Sequence, residues 1–140
     1  MALNKSDVKV GDTTTQVVAE NLSRTQIVQY AGASGDYNPL HTDEIFTTKV
    51  AGYPSVFAHG MLTMGMTGRA LTGWVGDGRL TAYGVRFAKQ VWPGDALTAT
   101  VTVEAIRDEA GTPIADFSVV TRNQHGEEVV RGSASARLDP

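Results

Sequence analysis

An apolar stretch over residues 59–74, broken by glycines and free of acidic side chains, is followed from residue 80 by a change of hydrophobic period. Few folds accept that order. The runs 80–90, 96–107, 113–122 and 128–138 are rich in Val, Thr, Ile, Phe and Tyr with frequent alternation, as strands half-buried against a helix require. Trp92-Pro-Gly-Asp95, Asp108-Glu-Ala-Gly111 and Asn123-Gln-His-Gly126 separate them with turn residues, so the four strands are expected to be linked as an antiparallel meander. Ahead of the helix, residues 16–20 alternate weakly and read as a short first strand. Ser23-Arg-Thr-Gln26 then has the form of a capping box and opens a helix over residues 24–33. Its apolar positions Ile27, Val28, Tyr30 and Ala31 fall close to one face, and Gly32 with Gly35 stops it. Residues 42–55 read as irregular, with one helical turn at 43–47. The main helix runs from His59 to Leu71 or Trp74. Gly65, Gly68 and Gly73 each cost about 0.8–1 kcal/mol in a solvated helix, which predicts that this one lies very close to a sheet.

One strand, a long helix and four more strands make an α+β chain in which about five antiparallel strands wrap a central helix, the hot-dog architecture. Its 140 residues suffice for one domain, 1–140, with no repeat, linker or low-complexity segment. Such a sheet has an open edge, and a second copy would cover it. Zero cysteines exclude a disulfide scaffold, a zinc ribbon and thiol catalysis. The 12 basic residues are scattered in a chain of net charge -3, so no nucleic-acid partner is expected. No window approaches the ~18 apolar residues of a membrane span, and the start lacks a signal peptide's apolar core, so the expected compartment is the cytoplasm.

Between the first and main helices lies Tyr30-Ala-Gly-Ala-Ser34-Gly-Asp36-Tyr-Asn38-Pro39-Leu-His41. Proline pushes the residue before it out of the helical region, so Asp36 and His41 flank a rigid, non-helical elbow. A carboxylate and an imidazole at that offset can hold and polarise a water. An Asp before Asn-Pro is most commonly a plain turn, and it is His41 that argues for chemistry. His59 precedes Gly60 at the head of the main helix, whose first free N–H groups would face the same water. It would either orient the loop or touch substrate. His125 reads as a solvated turn residue. Metal binding by Asp36, His41 and His59 is not expected, because no fourth ligand lies nearby in sequence and no H-x3-H spacing is present. Gly32-Ala-Ser34-Gly-Asp36 lacks the closing glycine of a nucleophile elbow, and the glycines of 73–78 are in the wrong order for a dinucleotide loop.

These residues resemble the MaoC-like hydratases and dehydratases, which include R-specific enoyl-CoA hydratases, and the motif from Tyr30 to His41 matches at each diagnostic position. His59-Gly-Met-Leu-Thr-Met-Gly65, Trp74-Val-Gly-Asp77 and Tyr83-Gly-Val-Arg86-Phe87 look like the catalytic subunit of actinobacterial (3R)-hydroxyacyl-ACP dehydratases of fatty-acid elongation. The resemblance implies a hydro-lyase that interconverts trans-2-enoyl and (3R)-3-hydroxyacyl thioesters, on CoA or acyl-carrier protein, without metal or organic cofactor. It makes Asp36 and His41 the catalytic pair and the Gly60 N–H the donor to the developing enolate oxygen. Asn38 becomes the bracket of the elbow and Tyr30 a wall, with Ser34 and His59 beside them around the substrate. Some relatives carry a serine where this chain has Gly68, so that hydrogen bond is lost or passes to Thr67 or Thr63. The acyl tunnel would lie at the interface of a homodimer or of a heterodimer with a related subunit. Two other readings compete: a noncatalytic subunit that shapes the tunnel, which would normally lack the Asp/His pair, and a hot-dog thioesterase, which would need a carboxylate on or beside the central helix.

Overall fold

The computed structural model describes residues 2–140. The elements are β1 (Thr13–Ala19), α1 (Arg24–Ser34), α2 (Gly60–Val75), β2 (Leu80–Phe87), β3 (Leu97–Glu109), β4 (Thr112–Arg122) and β5 (Glu128–Arg137), with a 3-10 turn at Lys5–Asp7. Residues 43–50 hold more helix than expected: a short α turn runs into a π-helical segment, Phe46–Val50. All five strands form one antiparallel sheet in the order β1-β3-β4-β5-β2. This is the α+β hot-dog arrangement, with α2 packed against β1, β2, β3 and β5.

The meander expectation is corrected at one link. β3, β4 and β5 follow one another through hairpins, but β2 pairs with β5, so residues 88–96 carry the chain across rather than back. Trp92-Pro-Gly-Asp95 is a turn, with the Asp95 N–H on Trp92 O at 3.0 Å, inside that crossing. Period tells which face of a strand is apolar and says nothing about its neighbour. The β2–β5 choice depends on Gly132 lacking a side chain: a Cβ there would sit 1.9 Å from Gly84 O.

The capping box of α1 is formed, with the Gln26 N–H on Ser23 Oγ and the Ser23 N–H on Gln26 Oε1, both at 3.1 Å. Gly35 ends the helix at φ +75, whereas Gly32 lies within it. Only Ile27 and Ala31 of the expected apolar face are buried, and Val28 is exposed. Of the four glycines of α2, Gly60 and Gly68 face close neighbours, since a Cβ would lie 2.8 Å from the Phe87 ring at the first and 3.1 Å from the Tyr83 ring at the second. Gly65 and Gly73 are exposed and do not mark the packed face. Two apolar clusters flank α2: Leu71, Val75, Val101 and Phe117 in one, Leu22, Ile27, Leu97 and Val129 in the other.

Candidate active site

The elbow is built from side chains that replace main-chain partners. The Asp36 N–H donates to Ser34 Oγ at 3.2 Å, the Asn38 N–H to Asp36 Oδ1 at 3.2 Å and the Leu40 N–H to Asn38 Oδ1 at 3.0 Å. The first is a serine turn and the other two are successive Asx turns, the conformation Asp and Asn favour next to proline. The His41 N–H closes the turn on Asn38 O at 3.0 Å, and the buried Thr47 hydroxyl is shared between Asp43 O at 2.7 Å and Pro39 O at 3.1 Å. Asp36 is thereby fixed through one oxygen while its side chain remains 53% exposed.

His41 and His59 meet behind it. Their rings stack with centroids 3.8 Å apart, and Tyr30 packs edge-on against His59 at 4.8 Å. A carbonyl can only accept, so the 2.7 Å contact of His41 Nδ1 with Phe57 O puts the proton on Nδ1 and leaves Nε2 with a free lone pair. Burial pushes the His41 pKa below its usual 6.5, helped by His59 and opposed by the Phe57 hydrogen bond and the Asp36 charge. The ring is therefore neutral at pH 7. His59 Nε2–H donates to the main-chain oxygen of Asp36 at 3.0 Å; the Asp36 carboxylate, 4.0 Å away, is too far for a hydrogen bond.

Side-chain ligand atoms of Asp36, His41 and His59 lie within 4.8 Å of one another. With His59 Nε2–H donated to the Asp36 carbonyl and His41 Nδ1–H to Phe57 O, the acceptors left for a water are His41 Nε2 and the Asp36 carboxylate. At the head of α2 the Gly60 N–H has no hydrogen-bond partner among the described residues. Gly60 lines a cavity of about 260 Å³ together with Phe57, Thr63, Phe87, Lys89 and Val91.

The structure thus brings Asp36, His41 and His59 together, with Tyr30 against His59 and Ser34 and Asn38 inside the elbow, and places Gly60 on the adjoining cavity. Sequence reasoning missed Phe57, whose carbonyl sets the His41 tautomer, and the crossing segment 88–91 that walls the cavity. No side-chain type announces a carbonyl acceptor. A misassigned hairpin hid the wall.

The family model described as MaoC like domain matches residues 5–125. The chain belongs to that family. Among MaoC-like proteins, the (R)-specific enoyl-CoA hydratase of Aeromonas caviae is 30% identical over 126 residues, 86% of this chain and 90% of its own. A solved (R)-hydratase from A. caviae superposes with a TM-score of 0.82 at 28% identity, covering 94% of this chain and 97% of that one. The 3-hydroxyacyl-thioester dehydratase Y of Mycobacterium tuberculosis is 44% identical over 71 residues, 49% of this chain. This chain spans only 24% of that dehydratase's length. No helix among the described residues is long and apolar enough to cross a membrane.

Proposed function

We propose that this MaoC-like chain catalyses the reversible addition of water to trans-2-enoyl thioesters, giving (3R)-3-hydroxyacyl thioesters. The observation that carries the reading is an exposed carboxylate beside an imidazole whose Nδ1–H is engaged and whose Nε2 is free. A water between Asp36 and His41 donates to both. Its oxygen attacks C3, the C2–C3 π electrons pass toward the thioester oxygen, and the proton released by water remains on the Asp36/His41 pair. The enolate then collapses by taking a proton at C2 from that pair, so the atoms balance without a cofactor.

Charge on the thioester oxygen is received by the Gly60 N–H, at the positive end of α2. We assign His59 to holding the Asp36 main chain, Ser34 and Asn38 to bracing the elbow, and Tyr30 to walling the imidazoles. The names and near-full-length likeness of the A. caviae hydratase support the reaction class. We also propose that residues 1–140 form one domain and that the working form is a dimer, of two copies or with a related subunit, because β1 and β2 are open edges. The carrier is CoA or acyl-carrier protein. Zero cysteines agree with a reducing, cytoplasmic setting.

A series of trans-2-enoyl-CoA thioesters from crotonyl to dodecenoyl, followed by loss of the conjugated enoyl absorbance, tests the reaction. Chiral analysis of the product should give the (3R) alcohol. Folded, dimeric protein that leaves the whole series untouched would sink the proposal. Light scattering that finds an active 14.9 kDa monomer would sink the dimer.

A further inference from the structure

α2 carries two fully buried threonines four residues apart, Thr63 and Thr67. Thr67 is satisfied, its hydroxyl paired with Thr121 Oγ1 at 2.7 Å. Thr63 is not. It is 1% exposed, and its Oγ1 has no partner among the described residues. A helical threonine has a ready acceptor in the carbonyl four residues back, here His59 O, yet this hydroxyl leaves it alone. Burying an unpaired hydroxyl is costly, so the group calls for a ligand that supplies the missing bond.

Thr63 lines the same cavity as Gly60. Helical Cα–Cβ bonds lean toward the N-terminus, so a side chain covers the turn preceding its own Cα. For Thr63 that turn begins at Gly60. The Thr63 side chain therefore sits on the turn that opens with the Gly60 N–H, and the two residues border one cavity.

We propose that Thr63 Oγ1–H is a second donor to the thioester oxygen, completing with the Gly60 N–H a two-donor hole for the enolate. The proposal rests on the hydration reading above. Thr63→Val keeps the side-chain shape and removes the hydroxyl, and Thr63→Ser keeps the hydroxyl. On crotonyl-CoA the valine variant should lose about 10²–10³ in kcat/KM, the usual loss for one oxyanion donor, while serine restores most of it. The valine protein should melt no lower than wild type, because it no longer buries an orphan hydroxyl. Infrared difference spectra of bound butyryl-CoA labelled with 13C at the carbonyl give a readout independent of turnover. The stretch should be lowered in wild type and in the serine variant, and should return toward the free thioester in the valine variant.

A wild-type rate with an unchanged stretch in Thr63→Val overturns the proposal. So does a lower melting point with an unchanged stretch, which would assign the hydroxyl to the protein itself, with buried His59 Nδ1 as the natural partner. If wild type leaves crotonyl-CoA untouched yet shows the Thr63-dependent stretch, the hydration reading falls and the donor stands. Hydration without any dependence on Thr63 gives the reverse.

Discussion

In the elbow that carries Asp36, the main-chain bonds close within three residues, from Ser34 to Asp36, Asp36 to Asn38 and Asn38 to His41. In the β2–β5 ladder, Phe87 finds Val130 and Leu80 finds Ala136 across two intervening strands. The elbow needs particular polar side chains at fixed offsets and tolerates exposure. The ladder needs an absence, the missing Cβ of Gly132, and tolerates almost any outward side chain. Local grammar of the first kind is written in the sequence near where it acts; the second kind is a relation between places the chain brings together only on folding.

The largest effects on turnover should come from the elbow. Asp36→Asn and His41→Ala are each expected to lower turnover by about two to four orders of magnitude, and the double variant should lose far less than the product because the two groups act on one water. Steady-state rates on crotonyl-CoA, with circular dichroism to confirm folding, check this. Near-wild-type turnover in either single variant would remove that residue from the chemistry and leave the elbow a plain turn.

The ladder should show its effects in stability. Gly132→Ala puts a methyl against the main chain of β2 and should cost about 3 kcal/mol or more, since backbone cannot step aside as a side chain can. Gly84→Ala, in the same pair of strands, meets nothing within 4 Å and should be neutral or stabilising by roughly 0.5–1 kcal/mol. Urea unfolding of both variants decides the matter. Equal losses would mean that the β2–β5 register differs from the one described.

Acid should sharpen the contrast inside the elbow. His41 has a lowered pKa in the folded protein through burial, so the unfolded chain binds a proton there more readily. The stability this contributes is fully present above pH ~6.5 and is lost as pH falls through the folded value. Hydration should fall over the same window, because protonated Nε2 no longer accepts from water. A kcat/KM profile with its acid limb below pH ~6.5 agrees with the neutral imidazole as acceptor; a limb above it contradicts the buried ring.

Legibility followed the same division. The capping box at Ser23 and Gln26, the stop at Gly35 and the Asn38-Pro39 break act on neighbours, and each lies where its residue type predicts. The order of the strands did not follow from alternation, because β2 offers the same pattern to β3 as to β5. Gly65 and Gly73 looked like packing glycines and are solvent-facing, since composition alone does not say which side of α2 meets the sheet. At the site, Asp36 and His41 were visible as a pair, while the acceptor that sets the His41 tautomer belongs to a main chain 16 residues away.

One place breaks the local grammar. The β3–β4 hairpin turns through Ala110 and Gly111 at φ +53 and +87, with Glu109 opposite Thr112. Positive φ at both central positions is the type I′ pattern, which favours Asn-Gly, and an alanine there brings its Cβ toward the following carbonyl. Ala110→Asn should relieve about 1 kcal/mol and raise the melting temperature by a few degrees, with turnover unchanged because the turn is remote in sequence from the elbow and the cavity lining. Thermal unfolding beside steady-state rates measures both. A gain in stability alone would show that a local rule still holds where the chain departs from it. No gain would mean that the ladder, with Arg107 paired to Asp116 and Glu109 beside the turn, holds the hairpin so firmly that the residue at its tip no longer matters.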